Sequence, residues 1–160
     1  MIKMMKKAII IDLDGTLYNC EARRAKYLSG DKKNFDLFNA EHVNDRPNEW
    51  CAELINCIQA AQCESRCDAK IIYVSGRDNS HYESTANWIT DNTTYHWDEP
   101  WILMRKPGDY RSDVEIKQEI YDMHIKDKYD VLFAVDDRQC IVDMWRRNGI
   151  VCLQCAPGDF

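Results

Sequence analysis

Asp12-Leu13-Asp14-Gly15-Thr16 closes the apolar run Ala8-Ile9-Ile10-Ile11, so two carboxylates emerge where a strand buried on both faces should stop. Gly15 permits a sharp turn directly after them. At the carboxyl end of a strand in an open α/β sheet, where ligands bind, such a pair can hold a metal, attack phosphorus or exchange protons. An Asp-Gly turn capping a helix is the plainer alternative, and the rest of the chain decides between the two. Lys70-Ile71-Ile72-Tyr73-Val74 runs into Ser75-Gly76-Arg77, which offers a hydroxyl, a glycine amide and a guanidinium to phosphate oxygens. Val131-Leu132-Phe133-Ala134-Val135 runs into Asp136-Asp137-Arg138. Two adjacent carboxylates after an apolar strand are costly to bring together unless a cation joins them. Lys117 follows Asp113 by one helical turn, a spacing that alone suits a surface ion pair worth about 0.3–0.5 kcal/mol.

The elements that must position these groups alternate between strand and helix. Strands are predicted over 7–12, 70–74, 101–104, 131–135 and 150–153. Helices are predicted from Pro47-Asn48-Glu49 to about Gln62, and over 80–92, 113–126 and 139–148, the last closed by Gly149. This alternation implies a parallel sheet with helices on both faces. Residues 17–46 are polar, mixed and too long for an ordinary connection, so they are either functional or disordered. Their place directly after the paired aspartates favours a lid or flap.

Length and composition exclude several classes. The 160 residues suit one domain with its own core, and 45% hydrophobic with 30% charged content describes a soluble globule. No apolar run approaches a membrane span or a secretory core, and the basic start Met1 to Lys7 leads into too short an apolar stretch for export. The expected location is cytoplasmic, in a bacterium or a phage-infected host. Eight cysteines, at 20, 51, 57, 63, 67, 140, 152 and 155, are expected to be reduced. Cys63-x3-Cys67 and Cys152-x2-Cys155 suggest zinc ligands, but the second pair lies in a strand, which sends i and i+3 to opposite faces. The net charge of −6 disfavours wrapping along nucleic acid. Local basic edges remain: Arg23, Arg24, Lys26, Lys32 and Lys33 in one stretch, and Arg105, Lys106 and Arg111 in another. They suit an anionic group presented at one point.

The full set, Asp-x-Asp-Gly-Thr at strand one, Ser75 at strand two, Lys117 in a helix between and Asp136-Asp137 at strand four, resembles the haloacid dehalogenase (HAD) superfamily of phosphotransfer enzymes. A narrower resemblance reaches the 3′-phosphatase domain of phage polynucleotide kinases. It is carried by Val74-Ser75-Gly76-Arg77-Asp78, Met104-Arg105, Gly108-Asp109-Tyr110-Arg111-Ser112-Asp113 and Asp136-Asp137-Arg138. Val142-Asp143-Met144-Trp145-Arg146-Arg147 and the terminal Gly158-Asp159-Phe160 extend it. Response-regulator receivers share the strand-end aspartate and magnesium, but their acidic pair comes early and their lysine late, the reverse of the order here.

The resemblance implies a three-layer Rossmann-like α/β fold with a parallel sheet of about five strands. Residues 1–160 would form one HAD-like phosphatase domain, with 17–46 its flap or small cap. It implies that Asp12 is the nucleophile and that Asp14 protonates the leaving oxygen, then accepts a proton from water. Repulsion from Asp12 is expected to raise the proton affinity of Asp14, against the pull of a bound cation. Mg2+ would bridge the Asp12 carboxylate, the Asp14 carbonyl and the Asp136/Asp137 pair, with the direct ligand of that pair left open. Ser75, Gly76 and Lys117 would hold phosphoryl oxygens, assisted by Thr16 and its neighbouring amides. Arg77 matches one phosphate-binding arginine, and Arg23 matches a second from the flap, with Arg24 as its rival. Asp113 would orient Lys117 or a flap arginine. The implied substrates are 3′-phosphorylated, or 2′,3′-cyclic phosphorylated, nucleic-acid ends or nucleotides; free mononucleotides and other small phosphomonoesters are the alternative. A non-catalytic subunit of a repair assembly is a further reading, which the complete residue set opposes. None of the six glycines fits G-x-x-x-x-G-K-[ST], so no 5′-kinase activity is expected of these residues, and a separate kinase or ligase is the expected partner.

Overall fold

The computed structural model describes residues 5–94 and 99–158. Asp159-Phe160 of the terminal match and the first four residues of the basic start lie outside the described residues. β1 (Lys6–Asp12) runs through the centre of the molecule, and its alternation feeds two cores at once. Ile9, Ile11 and Leu13 face one side, where they meet Cys51 and Ile55 of α3 (Glu49–Cys63) and Ala86, Trp88 and Ile89 of α4 (Tyr82–Asn92). Ala8 and Ile10 face the other side. There they meet Ile116 and Ile120 of α5 (Asp113–Ile120) and Ile141, Val142 and Trp145 of α6 (Gln139–Arg147). Burial of each isoleucine stabilises the fold by about 1.5–3 kcal/mol, which explains why the run carries no polar residue before Asp12.

Five strands form one parallel sheet in the order β5-β4-β1-β6-β7, with β4 (Lys70–Asp78), β5 (Ile102–Arg105), β6 (Tyr129–Asp136) and β7 (Cys152–Gln154). From β1 the chain travels outward through α3 to β4 and through α4 to β5. It then recrosses through α5 to β6 and finishes through α6 to β7. Winding therefore reverses between β1 and β6, and a crevice opens at the carboxyl ends of strands flanking such a reversal. Asp12 and Asp136 terminate those two strands.

Residues 17–46 are folded. β2 (Tyr18–Asn19) pairs antiparallel with β3 (Arg46–Pro47), and α1 (Glu21–Tyr27), α2 (Phe35–Ala40) and a 3₁₀ turn over Glu41–Asn44 lie between them. Asn34 caps α2 by accepting from the Leu37 amide. The insertion is anchored to α4, because Tyr18 stacks on Trp88 at 3.6 Å and Trp88 donates its indole N–H to the Asp45 carbonyl at 3.0 Å.

The helix expected over 113–126 is regular only to Ile120. Ser112 and Glu115 form a capping box at its start, and it continues as a π-helical turn over Tyr121–Ile125. A regular helix would carry His124 round toward the face of Ile116 and Ile120. The wider turn buries Tyr121 and Ile125 there and leaves His124 exposed. Among the described residues none of the eight cysteines is in a disulfide. Cys152 joins the core on the α5/α6 side while Cys155 packs against the opposite core, as strand alternation requires. No described helix is long and apolar enough to cross a membrane.

Candidate active site

Parallel pairing sets β1 and β6 side by side, with Ile11 opposite Val135, so Asp12 and Asp136 leave the sheet together. Lys117 reaches between them from the first turns of α5. Its Nζ donates to Asp12 Oδ1 at 2.5 Å and to Asp136 Oδ2 at 2.9 Å. The Trp145 indole N–H also donates to Asp136 Oδ2, and the Arg138 amide donates to Asp136 Oδ1. One carboxylate oxygen from each of Asp12, Asp136 and Asp137 lies within 4.8 Å of the other two, and all three residues are buried. Asp137 Oδ2 faces the Arg24 guanidinium at 3.7 Å and lies over Gly15. Gly15 has φ +93°, and a Cβ there would sit 2.2 Å from that oxygen, so both conformation and space demand glycine.

Electrostatics in this crevice are crowded. Burial and then repulsion from Asp136 raise the proton affinity of Asp12 despite the attraction of Lys117, and burial with Asp136 does the same to Asp137. Burial alone would favour neutral Lys117, but the carboxylates of Asp12 and Asp136 outweigh it and hold the ammonium charged. Three hard oxygen donors with more negative charge than Lys117 and Arg24 together offset fit a divalent cation of the Mg2+ type.

Asp14 departs from the expectation. Its side chain turns away from Asp12 and accepts on Oδ1 from Arg77 Nη2 at 2.6 Å and from Arg23 Nη2 at 2.5 Å. Burial pushes its pKa up, but the two guanidinium groups, Arg77 first, overcome this and hold the carboxyl well below its usual range. The expected rise is therefore reversed: two cations in contact outweigh burial. Arg77 is itself buried, donating Nη1 to Thr85 Oγ1 and lying over the Tyr18 ring. Arg23 is equally buried, held by Asp45 and the Phe38 carbonyl. The flap arginine with the better spacing thus grips Asp14, and its rival Arg24 is the one beside Asp137.

Ser75 lies within β4, three residues before its end at Asp78, with its Oγ accepting from the Arg77 amide. Gly76 is required by close approach: a Cβ would fall 2.6 Å from Asp113 Oδ1. Asp113 does not orient Lys117 or a flap arginine. It accepts instead from Arg105 and, at 2.5 Å, from Arg138 Nη1. Although Asp113 and Lys117 are one turn apart, the aspartate stays at the rim where α5 begins while the lysine reaches the crevice floor. Thr16 closes its own turn through its amide on the Leu13 carbonyl, and its hydroxyl faces Cys155 Sγ at 3.6 Å. The Gly15 amide is likewise spent on the Tyr18 carbonyl.

The sequence places Arg105 in a basic cluster and Arg138 beside the acidic pair but assigns neither a role in the site; Asp45 carries no such signal and was missed. His42 was also missed. It is buried beside Tyr18, with Nε2 at 2.9 Å from Ser84 Oγ. Burial, then Arg77, pushes its pKa down to about 3 from an ordinary 6.5. The neutral form is the folded form, so its contribution to stability is complete above pH 6.5 and is lost as pH falls toward about 3. Urea unfolding at pH 7 and pH 4.5 is expected to show wild-type protein losing about 2 kcal/mol more than His42→Gln. Equal losses would remove His42 from the acid response.

A parallel sheet with carboxylates gathered at its winding reversal, a buried lysine and a serine of β4 defines a HAD-type phosphomonoesterase site. The sequence profile of the polynucleotide kinase PNKP phosphatase domain matches residues 6–160, and the chain belongs to that family. The “Putative bifunctional polynucleotide kinase/RNA ligase” of Autographa californica nuclear polyhedrosis virus is 31% identical over 144 residues, 88% of this chain and 18% of the viral protein. A chain in the “Pnkp1/Rnl/Hen1 RNA repair complex” superposes with a TM-score of 0.74 at 34% identity, covering 98% of this chain and 44% of its own length. The class C acid phosphatase of Bacillus anthracis shares the fold, with a TM-score of 0.56 at 17% identity over 84% of this chain and 53% of its own. The chain thus spans under half the length of the first two relatives.

Proposed function

We propose that this protein is a Mg2+-dependent phosphatase that removes 3′-phosphate, and 2′,3′-cyclic phosphate as a second substrate, from nucleic-acid ends or nucleotides. The observation that carries the reading is Asp12 held by Lys117 at the winding reversal, with Asp14 two residues on in the grip of Arg23 and Arg77. Asp12 attacks phosphorus in line with the leaving oxygen and forms an aspartyl phosphate, which water then cleaves. Lys117, the Ser75 hydroxyl and the Gly76 amide stabilise charge spreading over the phosphoryl oxygens. Asp12, Asp136, Asp137 and the Asp14 carbonyl would hold Mg2+, which when bound offsets charge on both carboxylates and phosphate.

Asp14 begins as a carboxylate. A phosphate dianion competes for the guanidinium groups of Arg77 and Arg23, and each contact drawn from Asp14 Oδ1 raises its proton affinity. The residue then takes up a proton from solvent, gives it to the leaving oxygen, and later accepts one from the water that cleaves the aspartyl phosphate. Asp113, through Arg105 and Arg138, keeps the rim in place around Gly76. Family membership supports nucleic-acid ends as the substrate class, and a separate kinase or ligase as the partner.

Phosphate release from 3′- and 5′-phosphorylated DNA and RNA oligonucleotides and from a 5′-mononucleotide, with Mg2+ or with chelator, tests the reading. Release is expected from 3′ ends and only with the cation. Equal or faster turnover of the 5′-mononucleotide would replace it with a small phosphomonoesterase.

A further inference from the structure

We propose that Tyr110 is a stacking platform for a base of the nucleic-acid substrate, a reading that rests on the nucleic-acid end proposed above. Tyr110 is 96% exposed, whereas the next most exposed large apolar side chain among the described residues, Val151, reaches 62%. Full exposure of a tyrosine carries no packing benefit, and nothing in the surrounding fold requires an aromatic ring at this position.

The loop that presents it is firmly held. Arg105, at the end of β5, donates Nη1 to the carbonyls of both Asp109 and Arg111, at 2.8 and 2.6 Å, one on each side of Tyr110. Its Nε donates to the Gly76 carbonyl at 2.6 Å and its Nη2 to Asp113. One guanidinium therefore ties the loop to the strand end that carries Ser75 and Arg77, and leaves the tyrosine ring at the apex. Arg111 is pinned in turn by Asp109 and Glu119. An aromatic ring on a loop fixed at the rim loses little freedom when a base settles on it.

Lys106 and Arg111 lie in the same loop with exposed side chains, each also paired with Glu119. Cations beside an aromatic ring suit a strand whose phosphates and bases alternate, and stacking accepts any base because each has a π-face. The loop thus adds affinity for oligonucleotides over small phosphomonoesters without reading sequence.

Steady-state kinetics of wild type, Tyr110→Ala and Tyr110→Phe on a 3′-phosphorylated tetranucleotide and on p-nitrophenyl phosphate test this. The ratio of the two KM values, oligonucleotide over small substrate, is expected to rise roughly tenfold in Tyr110→Ala and to return toward wild type in Tyr110→Phe. An unchanged ratio in Tyr110→Ala overturns the proposal, as does a rise that phenylalanine fails to reverse. If wild type cleaves p-nitrophenyl phosphate but no 3′-phosphorylated end, the substrate reading has failed separately. Polarisation of a fluorescein-labelled tetranucleotide then decides the stacking by itself: weaker binding by Tyr110→Ala supports it, and equal affinity overturns it.

Discussion

Asp12→Asn is expected to lower phosphomonoester turnover by about 10⁴-fold or more, while the protein stays folded. An amide cannot attack phosphorus as a carboxylate does, and among the described residues no second carboxylate occupies its line. Asp136 and Asp137 leave a neighbouring strand end, and Asp14 faces the arginines. The stability side of the expectation follows from charge. Burial, and then repulsion from Asp136, raises the proton affinity of Asp12, and Lys117 keeps Asp136 as a partner once Asp12 is neutral. The melting temperature should therefore change little or rise. Turnover of p-nitrophenyl phosphate with Mg2+, alongside a thermal melt, checks both parts. Activity within tenfold of wild type would remove Asp12 as the nucleophile.

Lys117→Met has the larger expected effect on the fold. The ammonium is the side-chain cation between Asp12 and Asp136, and its removal leaves buried carboxylates facing one another. Breaking a buried pair by deleting one partner costs about 3–5 kcal/mol. The charge left behind is what a divalent cation offsets, so millimolar Mg2+ should recover more melting temperature in Lys117→Met than in wild type. Melts of both proteins in chelator and in Mg2+ measure this. Equal shifts would mean that the three carboxylates are not the cation site. Turnover should fall together with stability, by about 10²–10³-fold, since a donor to the phosphoryl oxygens is lost.

Much of this arrangement was legible from residue order. The runs Ala8 to Ile11, Lys70 to Val74 and Val131 to Val135 each end in polar residues, and in a parallel sheet those ends must lie on one edge. Asp12, Ser75 and Asp136 therefore had to meet before any contact was known. Lys117 was less legible, because its spacing from Asp113 describes a surface ion pair equally well; only the packing of Ile116 and Ile120 against the sheet turns it inward. The flap was the least legible segment. Its mixed polarity fits neither strand nor helix periodicity, and it is held by contacts distant in sequence, such as Tyr18 on Trp88 and Trp88 on Asp45.

By itself, then, the sequence determined the order of strands and helices, the edge of the sheet that carries the chemistry, and the identity of the acidic, basic and hydroxyl groups gathered there. Those properties follow from local periodicity and from the geometry of parallel sheets, which nearby residues encode. Tertiary structure alone decided the partners. Asp14 pairs with Arg23 and Arg77 instead of confronting Asp12, and Asp113 binds Arg105 and Arg138 instead of Lys117. Pairing between charged side chains depends on distances of a few ångströms across separate elements. Periodicity carries no information about those distances.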